Sequence, residues 1–248
     1  MMARDLSRAL DPVLLARDCG IEPDPWQAGL LRSMPKRSLL LCSRQSGKST
    51  VSALSALWAA IYQPEALVIL ISPSQRQSGE LFRVTIGFHS RLDGAPALTA
   101  ESALRAELAN GSRIIALPGT ERTVRGYAGA DLVVIDEAAR VEDELLAAVR
   151  PMLATKTAGR LIALTTPAGK RGWFYEAWIG DSDWTRIKVA ARDCPRISSE
   201  FLAEEMRELG PQRFSEEYEL EFHDNEESVF PTEIIARAFT SEVTPLWH

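Results

Sequence analysis

Cysteine and histidine are scarce in this chain of 248 residues, with three of each. Cys19, Cys42 and Cys194 are odd in number and scattered, outside the spacings of zinc sites and disulfide frameworks, which fits reduced thiols in an intracellular protein. Long apolar runs are missing: none reaches the roughly 18 residues that a membrane-spanning helix needs. Arg4, Asp5 and Arg8 are followed by no apolar stretch, which argues against a secretory signal peptide. Positive charge is not in excess either. The 28 Lys and Arg stand against 34 Asp and Glu, for a net charge of −6. This speaks against a protein that coats nucleic acid along a broad basic face. It leaves room for one that touches nucleic acid with a few residues and releases it in every cycle.

Short β-rich runs alternate with helical patterns, without repeats or low-complexity tracts. This order predicts an α/β fold with a mostly parallel sheet flanked by helices. Strands are expected at Ser38–Cys42, Leu67–Ile71, Arg113–Leu117, Leu132–Ile135, Leu161–Leu164 and Arg186–Val189. Their continuous apolar cores are those of strands covered on both faces. Ser49 to Tyr62 reads as a helix with Val51, Leu54, Leu57 and Ile61 on one face. Asn110-Gly111 is a type I′ hairpin signal before the third strand. Leu104–Leu108 would then be its partner strand, although its Ala and Glu also suit a helix. Composition shifts near Asp193-Cys194-Pro195. Two helical patterns follow, Glu200–Leu209 closed by Gly210-Pro211, and Gln212–Phe222 with Phe214, Tyr218 and Phe222 four apart. Residues 1–194 are therefore expected to form the main domain and 195–248 a small helical subdomain.

Chemistry concentrates first at Leu39-Leu40-Leu41-Cys42-Ser43-Arg44-Gln45-Ser46-Gly47-Lys48-Ser49-Thr50. An apolar strand runs into a loop of small residues, and Gly-Lys-Ser opens a helix, the context of a phosphate-binding P-loop. The N–H groups from Ser43 to Thr50 would cradle phosphates at the helix N-terminus. Gly47 would allow close approach, Lys48 would reach the β- and γ-phosphates, and the Ser49 hydroxyl would bind Mg²⁺. Cys42 stands where the usual pattern has its first glycine. A second signal, Asp131-Leu132-Val133-Val134-Ile135-Asp136-Glu137, brings two carboxylates to the end of a buried strand, where ligands of open α/β sheets bind. Asp136 would hold Mg²⁺ and Glu137 would polarise the attacking water. Leu161 to Leu164 form a third such strand, ending in Thr165 and Thr166, and its hydroxyls can sense the γ-phosphate. The Gln27 amide offers a donor and an acceptor that suit the edge of adenine.

Asp24-Pro25-Trp26-Gln27, the P-loop, Arg125-Gly126, Asp136-Glu137-Ala138 and Thr165-Thr166-Pro167-Ala168-Gly169 stand in the order found in tailed-phage large terminases. Phe214, Glu217, Tyr218, Glu221, Phe222 and Val229-Phe230 resemble that family's linker region. The resemblance implies a RecA-like P-loop ATPase (the ASCE class) that hydrolyses ATP with Mg²⁺ to drive double-stranded viral DNA into a procapsid. It carries adenine contact to Gln27 and phosphate and metal contact to Lys48 and Ser49. Asp136 becomes the metal-side acid, Glu137 the catalytic acid, and Thr165 and Thr166 part of the coupling motif. Arg44 would contact the γ-phosphate in cis, and Arg125 would reach a neighbouring subunit's site. Further implications are a portal protein and a small terminase subunit as partners, a homo-pentameric ring on the capsid, a monomer in isolation, and residence in the host cytoplasm. Family members also carry a nuclease half. Only 18 residues follow Phe230, so the ATPase half without nuclease activity is expected here. A helicase shares the Gln, P-loop and Asp-Glu motifs but needs a second RecA-like domain. A nucleotide-gated assembly module would not need Glu137.

Overall fold

The structure, a computed structural model, describes residues 2–224. These form one sheet of eight strands: β1 Arg37–Cys42, β2 Leu67–Ser72, β3 Leu98–Glu101, β4 Arg105–Leu108, β5 Arg113–Pro118, β6 Leu132–Asp136, β7 Arg160–Thr165 and β8 Thr185–Val189. Their order is β3-β4-β5-β2-β6-β7-β1-β8. From β5 to β8 every neighbouring pair is parallel, and β3 and β4 add an antiparallel edge. The expected α/β fold is present, and each of the six expected strands is found. β7 lies between β1 and β6, the RecA-like arrangement. The loop after β1 and the acids after β6 are thereby set one strand apart at the same end of the sheet.

Alternation along the strands builds two cores. Leu39 and Leu41 of β1 face the same side as Ile69, Ile71, Val133 and Ile135, whereas Leu40 and Cys42 join Val68, Leu70 and Val134 on the other. With both faces covered, no position in these runs can be polar without losing its water, so the sequence reads as continuously apolar.

The helices are α1 Met2–Leu10, α2 Pro12–Asp18, α3 Pro25–Ser33, α4 Lys48–Tyr62, α5 Gln75–His89, α6 Glu121–Val124, α7 Asp143–Met152, α8 Gly172–Ile179 and α9 Ser199–Phe214. None among the described residues is long and apolar enough to cross a membrane. α2 to α5 contribute to one core, α7 and α8 to the other. The expected single apolar face of α4 proves too narrow a reading. Ser52, Ala53, Ser55, Ala56, Ala59 and Ala60 are buried as well as its larger residues. Small side chains let α2, α3 and α5 pack closely against it, so α4 is enclosed and the helix opening at Lys48 is held firmly.

Leu104–Leu108 resolves toward the strand reading, as β4. The turn that follows is not type I′, which requires positive φ at two residues: Gly111 has φ 84 and Asn110 does not have a positive φ. Gly111 N–H donates to Leu108 O and Leu108 N–H to Ser112 O, the pattern of a type I turn closed by a glycine bulge. Asn110 is used differently: its Nδ2 donates to the carbonyls of Ala60 and Ile61 in the last turn of α4, at 2.8 and 3.0 Å.

In the C-terminal segment Gly210, at φ 75 and ψ 166, breaks the backbone inside α9, where Gly-Pro was expected to separate two helices. The second helical stretch is shorter than Gln212–Phe222. After one wide turn at Ser215–Glu219 it ends at Leu220, which is left-handed at φ 64. Phe214 and Tyr218 pack with Ala191, while Phe222 leaves the helix and meets the Tyr175 ring edge-on at 5.0 Å. Val229-Phe230 and the rest of the expected 195–248 subdomain beyond residue 224 lie outside the described residues.

Replacing Asn110 with Ala removes both caps of α4 and should destabilise the chain by roughly 1–3 kcal/mol. Equilibrium denaturant unfolding measures this, and an unchanged midpoint would refute the capping role.

Candidate nucleotide site

At the end of β1 the backbone leaves the sheet through Ser43 and enters α4 at Lys48. Cys42 is fully buried and pairs in register with Val189. Its φ is not positive, so a side chain is admissible where the usual pattern has glycine. Burial pushes its thiol up to about 12, so it remains a neutral packing group. The left-handed positions are instead Gln45, φ 59, and Gly47, φ 85. A Cβ on Gly47 would stand 2.6 Å from Gln27 Nε2 and 3.0 Å from Arg196 Nη2, so only glycine fits.

Ser43 and Ser46 are buried beneath the loop, and the Ser46 hydroxyl donates to Ser43 O at 2.8 Å. They brace the turn from inside. Residues 44, 45 and 47–50 instead line an open cavity of about 620 Å³, together with Gln27, Arg196 and residues 20–22. Gln27 is buried and uses both ends of its amide. Its Oε1 accepts from Asp24 N–H at 2.9 Å and its Nε2 donates to Gly47 O at 3.1 Å. The expected adenine contact is thus also a brace for the loop glycine, with one amide hydrogen of Nε2 remaining.

With β7 between it and the loop's own strand, β6 ends in Asp136, and Glu137 follows it. Burial, reinforced by the Glu137 charge, pushes Asp136 up to about 6, with Lys48 pulling the other way. Glu137 is left-handed at φ 52 and ψ 44, a strain that non-glycine residues accept at about 1–2 kcal/mol. Its Oε1 lies 3.6 Å from Lys48 Nζ. P-loop and acids, 88 residues apart in the chain, therefore share one site. Thr165 and Thr166, at the end of the intervening β7, are buried.

The two expected arginines are placed differently from each other. Arg44 makes a two-point ion pair with Glu217, Nε to Oε2 at 3.0 Å and Nη2 to Oε1 at 3.2 Å. Arg125 follows α6 on an exposed stretch and does not line the cavity.

Sequence reasoning missed three participants. Arg196 reaches back to donate to Ser46 O at 2.9 Å while pairing with Asp24 at 2.7 Å. No local pattern marks it, since 150 residues separate it from Ser46. Arg140 contacts both Glu137 and Thr166, at 2.7 and 3.1 Å. Its spacing of three from Glu137 was a usable signal. Glu217 was noted as part of a linker pattern, without its partner Arg44.

A family profile described as terminase large subunit, T4-like virus type, N-terminal, matches residues 39–237. The chain belongs to this family. It is 26% identical over 249 residues to the terminase large subunit of Thermus virus P23-45, covering 85% of this chain and 51% of that protein. Against the terminase large subunit of Escherichia phage T5 the identity is 25% over 231 residues, covering 88% and 52%. The chain spans about half the length of these relatives. The solved large terminase ATPase domain of Thermus phage P74-26 shares its fold, with a TM-score of 0.73 at 23% identity over 84% of this chain and 96% of that one.

In this terminase chain Asp136 is held at a cost at neutral pH. Its carboxyl binds its proton more tightly when folded, at about 6, than at the ordinary value of 3.8. Below 3.8 both states are protonated and the penalty vanishes. It grows between the two values and is complete above about 6. With divalent cations chelated, Asp136→Asn should therefore raise stability at neutral pH by roughly 2–3 kcal/mol, with the gain fading toward pH 4. Thermal unfolding across pH tests this, and a destabilised variant at neutral pH would contradict it.

Proposed function

We propose that this chain is the ATPase half of a phage DNA-packaging motor, hydrolysing ATP to drive double-stranded DNA into a procapsid in the host cytoplasm. The observation that carries this reading is the meeting of Lys48 and Glu137 across β7. A phosphate-binding cation and a candidate general base approach to 3.6 Å at the ends of parallel strands. The glycine cradle at Gly47 and the N–H groups of α4 fit a triphosphate.

Roles follow from placement. In the loop from Ser43 to Thr50, Ser43 and Ser46 brace the turn, the backbone beyond Arg44 holds phosphate, and Lys48 neutralises the β- and γ-phosphates. Gln27 supports Gly47 and presents its remaining amide hydrogen to the base. Ser49 and Asp136 are the groups that would hold Mg²⁺, which supplies charge neutralisation at the phosphates. Magnesium is commonly held by one or two protein groups plus substrate phosphates, and this donor set fits that habit. Glu137 accepts a proton from the attacking water, and Thr166 reports the γ-phosphate to β7. Arg44 exchanges Glu217 for phosphate in cis.

Arg125 serves a neighbouring copy in trans. It is exposed, and Gly126 and the left-handed Gly129 flank it, which lets its loop adjust to a docked partner. The working assembly is a homo-pentameric ring on the portal protein, supplied with DNA by the small terminase subunit. The chain alone is monomeric and slow. Residues 1–194 form the ATPase domain and the following segment a linker subdomain.

Phosphate release with and without linear double-stranded DNA tests the activity. Lys48→Ala should abolish turnover and weaken ATP binding, whereas Glu137→Gln should keep affinity and lose ~10²–10⁴-fold in rate. Unchanged turnover in Lys48→Ala would remove the P-loop assignment.

Arg125→Ala should leave ATP affinity in the monomer intact while costing the assembled motor ~10³–10⁵-fold in rate. Mixing Arg125→Ala with Glu137→Gln subunits should partly restore hydrolysis, each supplying what the other lacks. A mixture that stays inactive where wild-type rings form would refute action in trans.

A further inference from the structure

Glu137 has two carboxylate oxygens, and the structure treats them differently. Oε1 faces Lys48 Nζ at 3.6 Å, too far for a hydrogen bond, on the side of the phosphate loop. Oε2 accepts a short hydrogen bond of 2.7 Å from Arg140 Nη1. The second hydrogen of that same nitrogen goes to Thr166 Oγ1 at 3.1 Å. We propose that Arg140 is a positioning residue that anchors one oxygen of Glu137 to the end of β7, so that the other is presented to water at the phosphates. The proposal rests on the hydrolytic reading above, in which Glu137 is the general base.

The geometry has a local cause. Glu137 is left-handed, and the chain then makes one tight turn, Ala138–Arg140, in which Arg140 N–H donates to Glu137 O at 2.8 Å. That turn folds the arginine back over the residue that starts it. Ala138, inside the turn, is fully buried and fixes it on the sheet. Thr166 is nearly inaccessible, and the neighbouring Thr165 hydroxyl donates to Thr166 O, so the far anchor is rigid.

The need for an anchor is also physical. The terminal torsion of a glutamate is broad, so a carboxylate without a partner swings through many orientations. General base catalysis requires one oxygen within hydrogen-bond reach of the water, and small misplacements are expensive in rate. Lys48 cannot supply the anchor, because its role is to follow the phosphates. Arg140 bonds the other oxygen of the carboxylate, makes no hydrogen bond or ion pair with the phosphate loop among the described residues, and opens onto a second groove lined by Asp143, Arg171, Arg213 and His223. It is therefore free to hold Glu137 throughout the cycle without competing for nucleotide.

The test compares Arg140→Ala and Arg140→Lys with wild type and Glu137→Gln, measuring steady-state phosphate release and the binding of a fluorescent ATP analogue. Arg140→Ala should lower kcat roughly 10- to 100-fold with KM and analogue affinity unchanged. Arg140→Lys, whose ammonium also has hydrogens for both oxygens, should recover part of kcat. A purely structural arginine would instead lower thermal stability and leave the kcat of the folded fraction alone. If Arg140→Ala matches or exceeds wild type while Glu137→Gln is inactive, or if its loss lies in affinity, the positioning role fails and the hydrolytic reading stands. Should Arg140→Ala not fold, Arg140→Lys and Arg140→Gln decide by the same criteria. If wild type is no faster than Glu137→Gln, the hydrolytic reading itself falls, and this proposal with it.

Discussion

Between Cys42 and Lys48 the chain must pass from the interior of a doubly covered sheet into a helix whose first N–H groups are left without intrahelical partners. The passage works only because Gly47 takes φ 85 with no side chain, beneath the Gln27 amide and the Arg196 guanidinium. Those two groups come from opposite ends of the described chain and bond the carbonyls of Gly47 and Ser46. The loop is therefore held from outside by side chains that donate to its carbonyls and from beneath by Ser46 bonded to Ser43, while Gln45 and residues 47–50 line the cavity. An anion site made in this way needs no net positive charge, so the overall charge of −6 does not stand against the proposed nucleotide substrate.

Electrostatics at the end of β6 are arranged against stability. Asp136 is buried beside a second carboxylate and sits well above the usual range for its type. Glu137 adds a left-handed backbone. Lys48 and Arg140 relieve part of this repulsion without removing it. Two acids forced together at a sheet end, under partial relief, suit the divalent cation of the proposed function. The strain and the proposed chemistry thus share one cause.

The C-terminal segment is joined to this site at the loop itself. Glu217 grips the Arg44 side chain, and its carbonyl also accepts from Arg44 N–H at 3.4 Å. Arg196, just after β8, touches Ser46. The phosphate loop is therefore bonded to both ends of the segment, and Gly210 provides a break in α9 between them.

Local patterns in the sequence determined the six parallel strands, the helix behind the loop and the pairing of a P-loop with an acidic strand, because continuous apolar runs and backbone-specific glycines leave few alternatives. The Cys42 position, the glycine bulge at Gly111 and the early end of the last helix at Leu220 were decided by backbone torsions that residue identity only biases. Arg196, Arg140 and the Arg44–Glu217 pair were decided by tertiary structure alone. A charged side chain finds its partner after the strands are in order, and its reach of several ångströms spans contacts that no spacing in the chain encodes. Burial does the same for Asp136: the sequence places a carboxylate at the end of a strand, but only the packed sheet around it removes the water and changes its proton affinity.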